Sequence, residues 1–244
     1  MRWGAWISIW LAALPLVLAL NGCDSAPGAR AAEDSTPRPD HVLDFGTLYA
    51  ANCRACHGEN GHGGPAMELG NPEYQALVDD ATLQKTISVG MPGTEMPAFA
   101  QSAGGMLTDA QVSAIVAGMR KEWAKPGVFA GAAPPPYTQP AGGDAQRGEQ
   151  VYQTRCASCH EKPAREQLLS PAYLSLVSNQ ALRTIIVAGR TDIGQPDWRL
   201  QGVKAAGTAT APALSGQDVT DVVTYLGTLR NPAIVSAATA GRAQ

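Results

Sequence analysis

Cys53-Arg54-Ala55-Cys56-His57 and Cys156-Ala157-Ser158-Cys159-His160 decide the reading of this chain. In each pentapeptide two thiols three positions apart share one turn of helix and an imidazole follows directly. That arrangement lets both sulfurs form thioethers to the vinyl groups of one haem while the histidine sits under the iron as proximal ligand. With 5 Cys and 4 His in 244 residues, chance expects roughly two such pentapeptides in a thousand chains of this composition. A pair of them therefore implies two covalently bound c-type haems, held by Cys53, Cys56 and His57 and by Cys156, Cys159 and His160.

Four of the five cysteines are used in this way, which leaves Cys23 and no pair for a structural disulfide. Arg2 is followed by an uncharged apolar run from Ala5 to Leu20 that stops at Leu20-Asn21-Gly22-Cys23. The run has the length of a signal-peptide core and its end resembles a bacterial lipoprotein cleavage box. The resemblance implies that residues 1–22 are removed and that Cys23 is acylated on sulfur and amino group, giving the two or more chains that lasting attachment needs. The alternative, an uncleaved membrane anchor, has only about sixteen apolar residues where a bilayer needs about twenty. In either case the globular part is expected on the periplasmic face of a bacterial membrane.

Removing the leader removes Arg2, leaving 17 basic against 21 acidic side chains. This acidic balance implies no nucleic-acid partner. Residues 23–40 are polar and Pro-containing and read as a flexible tether; residues 126–143, with Pro134-Pro135-Pro136 and Pro140, read as an extended, poorly packed spacer. Between and beyond them lie two small bodies, 41–125 and 144–232, and a flexible tail, 233–244. Each body has fewer than 100 residues, so a covalently held haem would supply much of its core.

The two bodies are copies. Asn71-Pro72-Glu73-Tyr74 aligns without a gap on Ser170-Pro171-Ala172-Tyr173 at an offset of 99, and the register runs on from Gly90 on Gly189 to Phe99 on Trp198. The haem motifs are offset by 103, so the second copy lacks about four residues in the loop after its motif. The closing helices, Val112 to Met119 and Val219 to Leu226, are offset by 107, so it gained about eight around Arg199 to Thr210. Thr108 with Gln111, and Ser215 with Asp218, are N-cap pairs that open these helices. Val112, Ile115, Val116 and Met119, like Val219, Val222, Val223 and Leu226, form apolar stripes at helical spacing. Strand signals are nearly absent.

An opening helix bearing Cys-x-x-Cys-His, a middle helix, a loop with a Met-Pro pair and a capped closing helix resemble class I cytochrome c domains. The resemblance covers residues 41 to 231 and implies an all-α fold of two tandem cytochrome c-type domains, each wrapped around a haem. It also implies a methionine opposite each proximal histidine, a soft ligand that favours ferrous iron. Met96-Pro97, 39 residues after His57, resembles the family's ligand loop. Met91 is its competitor, while Met67, Met106 and Met119 read as loop or core residues. Pro65 stands where the family supplies the carbonyl that accepts from the proximal imidazole, although an ordinary turn proline reads the same.

The second copy departs from this pattern. It contains no methionine and no histidine besides His160, and the ungapped register puts Gln195 where Met96 stands. An amide is a hard, weak iron ligand, so haem two is expected to be weakly ligated or open. His41 and His62 read as solvated loop residues, Trp198 as haem-edge packing and Arg199 as a propionate partner. The resemblance implies an electron carrier rather than an enzyme, a tethered shuttle or complex subunit between a quinol-oxidising complex or dehydrogenase and a terminal oxidase. Its rival is peroxide or nitric oxide chemistry at haem two.

Overall fold

The computed structural model describes residues 37–92, 94–161, 169–201, 203 and 211–235. The chain divides at His41: before that point the described residues make one 3₁₀ turn, Pro39–His41, and from Val42 onward both repeats belong to a single compact unit. Cys23, the leader, and most of the tether and of the tail lie outside the described residues.

Repeat one opens with α1 (Phe45–Asn52), capped by the Asp44 carboxylate, which accepts the Thr47 N–H at 2.8 Å. Cys53 bends the chain into α2 (Arg54–His57), the haem-motif turn. A small hairpin follows, β1 (Gly58–Glu59) on β2 (His62–Gly63), with Gly58 opposite Gly63. Then come α3 (Pro72–Leu77), capped by Asn71, α4 (Asp80–Val89), capped by Asp79, and α5 (Asp109–Trp123), which carries the expected Thr108/Gln111 capping box. Repeat two gives α6 (Ala145–Arg155), α7 (Ala157–His160), α8 (Pro171–Leu176), α9 (Asn179–Ala188) and α10 (Gly216–Thr228), the last opened by the Ser215/Asp218 box. The all-α reading holds, the hairpin being the one addition among the described residues.

The register inferred from sequence holds at the level of single hydrogen bonds. Met91 N–H donates to Met96 O at 3.1 Å and Arg190 N–H to Gln195 O at 3.0 Å; Leu107 N–H donates to Phe99 O at 2.7 Å and Leu214 N–H to Trp198 O at 2.8 Å. The stripes on α5 and α10 are buried as expected, from Val112 and Ile115 in one core to Val219 and Val223 in the other. Each such aliphatic side chain contributes about 1.5–3 kcal/mol when removed from water.

In each repeat the opening and closing helices cross at a glycine. A Cβ on Gly118 of α5 would lie 2.2 Å from the Phe45 ring of α1, and one on Gly148 of α6 would lie 2.0 Å from the Asp221 carbonyl of α10. The same task is assigned to the closing helix in one copy and the opening helix in the other. Phe45 and Tyr49 then pack edge-on against Trp123, with ring centroids 5.4 and 5.2 Å away.

The segment after α5 departs from the loose spacer expected of its composition. Pro135 is buried and Tyr137 packs against the core of repeat one. The buried Arg183 of α9 donates to Pro136 O at 2.7 Å, and Gln180 donates to Tyr137 O at 2.7 Å while accepting from Gln139 N–H at 2.9 Å. Proline-rich backbone has few donors of its own but intact carbonyls, and two side chains of α9 satisfy them. The cores adjoin as well: Ala188 belongs to the core of repeat one, and Leu77 packs on both.

Candidate functional site

The haem motif of repeat one presents Cys53 half-buried and Cys56 exposed, with neither thiol in a disulfide. Burial pushes the Cys53 thiol up to about 11. The His57 ring nitrogen Nδ1 lies 2.8 Å from the Met67 carbonyl, which fixes the tautomer and leaves Nε2 as the metal-facing nitrogen. The acceptor is thus Met67 and not Pro65. Every residue offers a carbonyl, so residue type could not select between them; the Ala66 N–H, donating to Cys56 O at 2.9 Å, sets the turn that brings Met67 over the ring. Burial holds His57 below its usual pKa, the Met67 carbonyl opposing and the Arg190 guanidinium reinforcing the shift. A neutral imidazole is the form that binds a metal.

Met96 is half-buried against the core of repeat one. Its loop is tied by Thr94, whose hydroxyl donates to Met91 O at 2.8 Å and accepts from Met96 N–H at 3.2 Å. Met106 is 82% exposed and Met119 fully buried, which leaves both outside the loop. Gln195 occupies the matching place in repeat two, and its amide donates to Ile185 O at 3.1 Å. Pro163, three residues after His160, and Lys162 and Lys204, the other side chains of repeat two that could ligate haem two, lie outside the described residues.

The residues present fit the haems that the motifs imply. Cys156 and Cys159 are likewise half-buried and outside any disulfide. In the second repeat the indole Nε1 of Trp198 and the hydroxyl of Tyr152 are buried without a hydrogen-bond partner among the described residues. Buried donors are ordinarily satisfied, and a prosthetic group bearing carboxylates would offer the indole an acceptor. The matching residues of repeat one need nothing of the kind: Phe99 has no donor, and Tyr49 donates to Gly58 O at 2.9 Å across the loop that repeat two has shortened.

His62 is exposed, as expected of a solvated residue, but it sits in β2 of the hairpin, where its Nδ1 lies 2.8 Å from the carboxylate of the buried Glu68. One expectation is corrected. Arg199 is engaged by protein rather than left for a propionate, pairing with Asp197, with Glu73 of repeat one at 3.3 Å and with Val128 O at 2.8 Å. Sequence reasoning also missed Arg190, Asp192 and Glu68, which join the two repeats. The available signal was that charged residues replace Met91 and its neighbours within an otherwise faithful register.

Residues 42–117 match the family model described as cytochrome c oxidase, cbb3-type, subunit III, and residues 145–230 that described as cytochrome c. The chain is 28% identical over 141 residues to the cbb3-type cytochrome c oxidase subunit FixPc of Rhizobium leguminosarum bv. viciae, a match spanning 54% of this chain and 43% of that protein. It is 30% identical over 96 residues to cytochrome c-554(547) of Halothiobacillus neapolitanus, covering 36% of this chain and 99% of that protein. No solved structure matches it. Among the described residues no helix is long and apolar enough to cross a membrane. Two haem motifs in matching helical frames, each frame recognised separately as cytochrome c, place the chain in the family of dihaem class I cytochromes c, proteins that bind covalent c-type haem and transfer electrons.

Proposed function

We propose that this cytochrome relays single electrons in a bacterial respiratory chain, from a quinol-oxidising complex or dehydrogenase to a terminal oxidase, as a shuttle or complex subunit tethered through acylated Cys23 at the periplasmic face. In this reading Cys53 and Cys56, and Cys156 and Cys159, attach the haems; His57 and Met96 are the axial pair of haem one, and His160 with Gln195 flank haem two. The bound haems supply the one-electron couple. The chain holds the first imidazole neutral, presents a soft thioether opposite it and closes apolar side chains around the site, which together favour the reduced state.

One observation carries the reading most strongly: the loop containing Gln195 is bonded directly to the loop whose Met67 carbonyl holds His57. Two haem sites built into one compact unit suit relay better than two independent carriers. The likeness to a cbb3-type oxidase subunit supports an oxidase as the electron acceptor. A tether would confine the carrier near such partners and raise effective concentration without a strong interface.

The test is rapid mixing of oxygen with membranes that contain the reduced full-length protein. Both haems should oxidise within the oxidase turnover time, and Cys23→Ser should release the protein from the membrane fraction and slow that oxidation. Haems that stay reduced while the oxidase turns over would overturn the reading. Co-purification after mild detergent extraction separates subunit from shuttle. A second reading, binding of a small ligand such as peroxide or nitric oxide at haem two, is favoured by the lack of any methionine in repeat two and of any histidine besides His160.

A further inference from the structure

The loop of repeat two that carries Gln195 begins with a set of buried charges locked into repeat one. Arg190 is 9% exposed. Its Nη1 donates to Ala66 O and its Nη2 to Gly64 O, both at 3.1 Å, and it pairs with Asp192 through two contacts of 2.8 Å. Asp192 also accepts the Gly63 N–H at 3.0 Å. Glu68 accepts the Thr191 N–H and the Thr191 hydroxyl at 2.8 Å each, besides facing His62 and, at 3.4 Å, the Asn71 amide. Arg190 therefore grips the carbonyls on either side of Pro65, and Glu68 directly follows Met67, whose carbonyl holds His57.

Taking these ions out of water costs several kcal/mol each before pairing offsets it, and the repeats already share apolar contact through Leu77 and Ala188. The placement of the charges is what distinguishes them. An oxidised haem carries one more positive charge than a reduced one, so a nearby cation disfavours oxidation and a nearby anion favours it, more strongly in the protein interior than in water.

We propose that Arg190 and Glu68 are positioning residues through which the ligand loop of repeat two sets the potential of haem one, Arg190 raising it and Glu68 lowering it. The inference rests on reading His57 as the axial ligand of haem one. Arg190 and Gln195 also exchange both backbone hydrogen bonds, at 3.0 and 2.9 Å, so the group tuning haem one is anchored to the residue facing haem two.

Spectroelectrochemical titration of the full-chain holoprotein tests this, with haem one identified by the thioether–ferric charge-transfer band. Arg190→Gln should shift haem one toward oxidation by about tenfold at fixed ambient potential, about 59 mV downward for a one-electron couple. Glu68→Gln and Asp192→Asn should shift it in the opposite direction, and Arg190→Lys, which keeps the charge, should stay near wild type. A merely structural role would loosen the interface in all variants and move the potential the same way in each. Should Arg190→Gln fail to assemble, the two carboxylate variants carry the test. Shifts of one sign, or none, in a protein that retains two redox-active haems would overturn this inference alone. A wild-type protein whose haem one lacks the histidine ligand would overturn the functional reading and the inference together.

Discussion

Met96 and Gln195 hold the same place in two copies of one loop, closed in each by the same backbone hydrogen bond, so at that position the two copies differ by a thioether against an amide. A thioether is soft and favours ferrous iron; an amide is hard and binds it weakly. Met96→Ala should abolish the charge-transfer band and lower the reduced-to-oxidised ratio of one haem more than tenfold at fixed potential, more than about 59 mV for a one-electron couple. Met91→Ala should leave the band in place, because Met96, followed by Pro97, is the methionine of the ligand-loop pattern; absorption spectroscopy of the two variants decides between them, and the reverse pattern would move the ligand by five residues. Gln195→Met should convert haem two to a six-coordinate site. Reduced wild-type protein is expected to bind carbon monoxide at one haem, that of repeat two, and the variant at neither. Carbon monoxide binding that Gln195→Met leaves unchanged would show that another residue faces that iron.

Helices impose demands that a residue's chemistry does not reveal. The α1/α5 and α6/α10 crossings each pass through a point where no side chain fits, Gly118 in one and Gly148 in the other. Gly148→Ala places a methyl against the Asp221 carbonyl, which lies on the helix backbone and cannot swing aside as a side chain could. Overpacking of this kind costs about 1–3 kcal/mol, and denaturant unfolding of the holoprotein should show it as a lower midpoint with little change in slope. Ala145→Gly at the half-buried first residue of the same helix is the control and should cost less than half as much. The two arginines at the ends of α3 and α8 belong to this scale too. Arg120 donates to the Gln75 and Val78 carbonyls, and Arg230 to the matching Leu174 and Val177 carbonyls at 2.9 and 2.8 Å. Each satisfies orphan acceptors at a helix C-terminus.

At the scale of the whole molecule, the joined repeats carry a pH signature. The Arg190 guanidinium holds the Asp192 carboxyl well below its usual value of 3.8, aided by the Gly63 N–H from the other repeat and opposed by burial. A carboxylate whose folded pKa is depressed contributes stability that is fully present above the unfolded value and is lost as pH falls through the folded one. The stability difference between wild type and Asp192→Asn should therefore stay constant down to about pH 3.8 and shrink only below it. Paired unfolding curves cancel the other titrating groups. A difference already shrinking at neutral pH would mean that the contact is open in solution.

Much of this protein was legible in its sequence because the deciding features are local. The haem motifs need only three side chains on one helical turn, the caps only residues three apart, and the apolar stripes only helical periodicity. The two-copy register followed from comparing the chain with itself, and it carried Gln195 to its place opposite Met96 because a loop closed by its own backbone survives substitution. Tertiary structure decided what depends on backbone groups and on distant partners. It chose the Met67 carbonyl over that of Pro65, pinned the proline-rich segment to Arg183 and Gln180, paired His62 with Glu68, and turned Arg190 from a loop residue into a bridge between repeats. Carbonyls are the same in every residue, and a charge acquires its partner only when the chain folds, so composition, spacing and periodicity name neither the accepting carbonyl nor the partner of a charge.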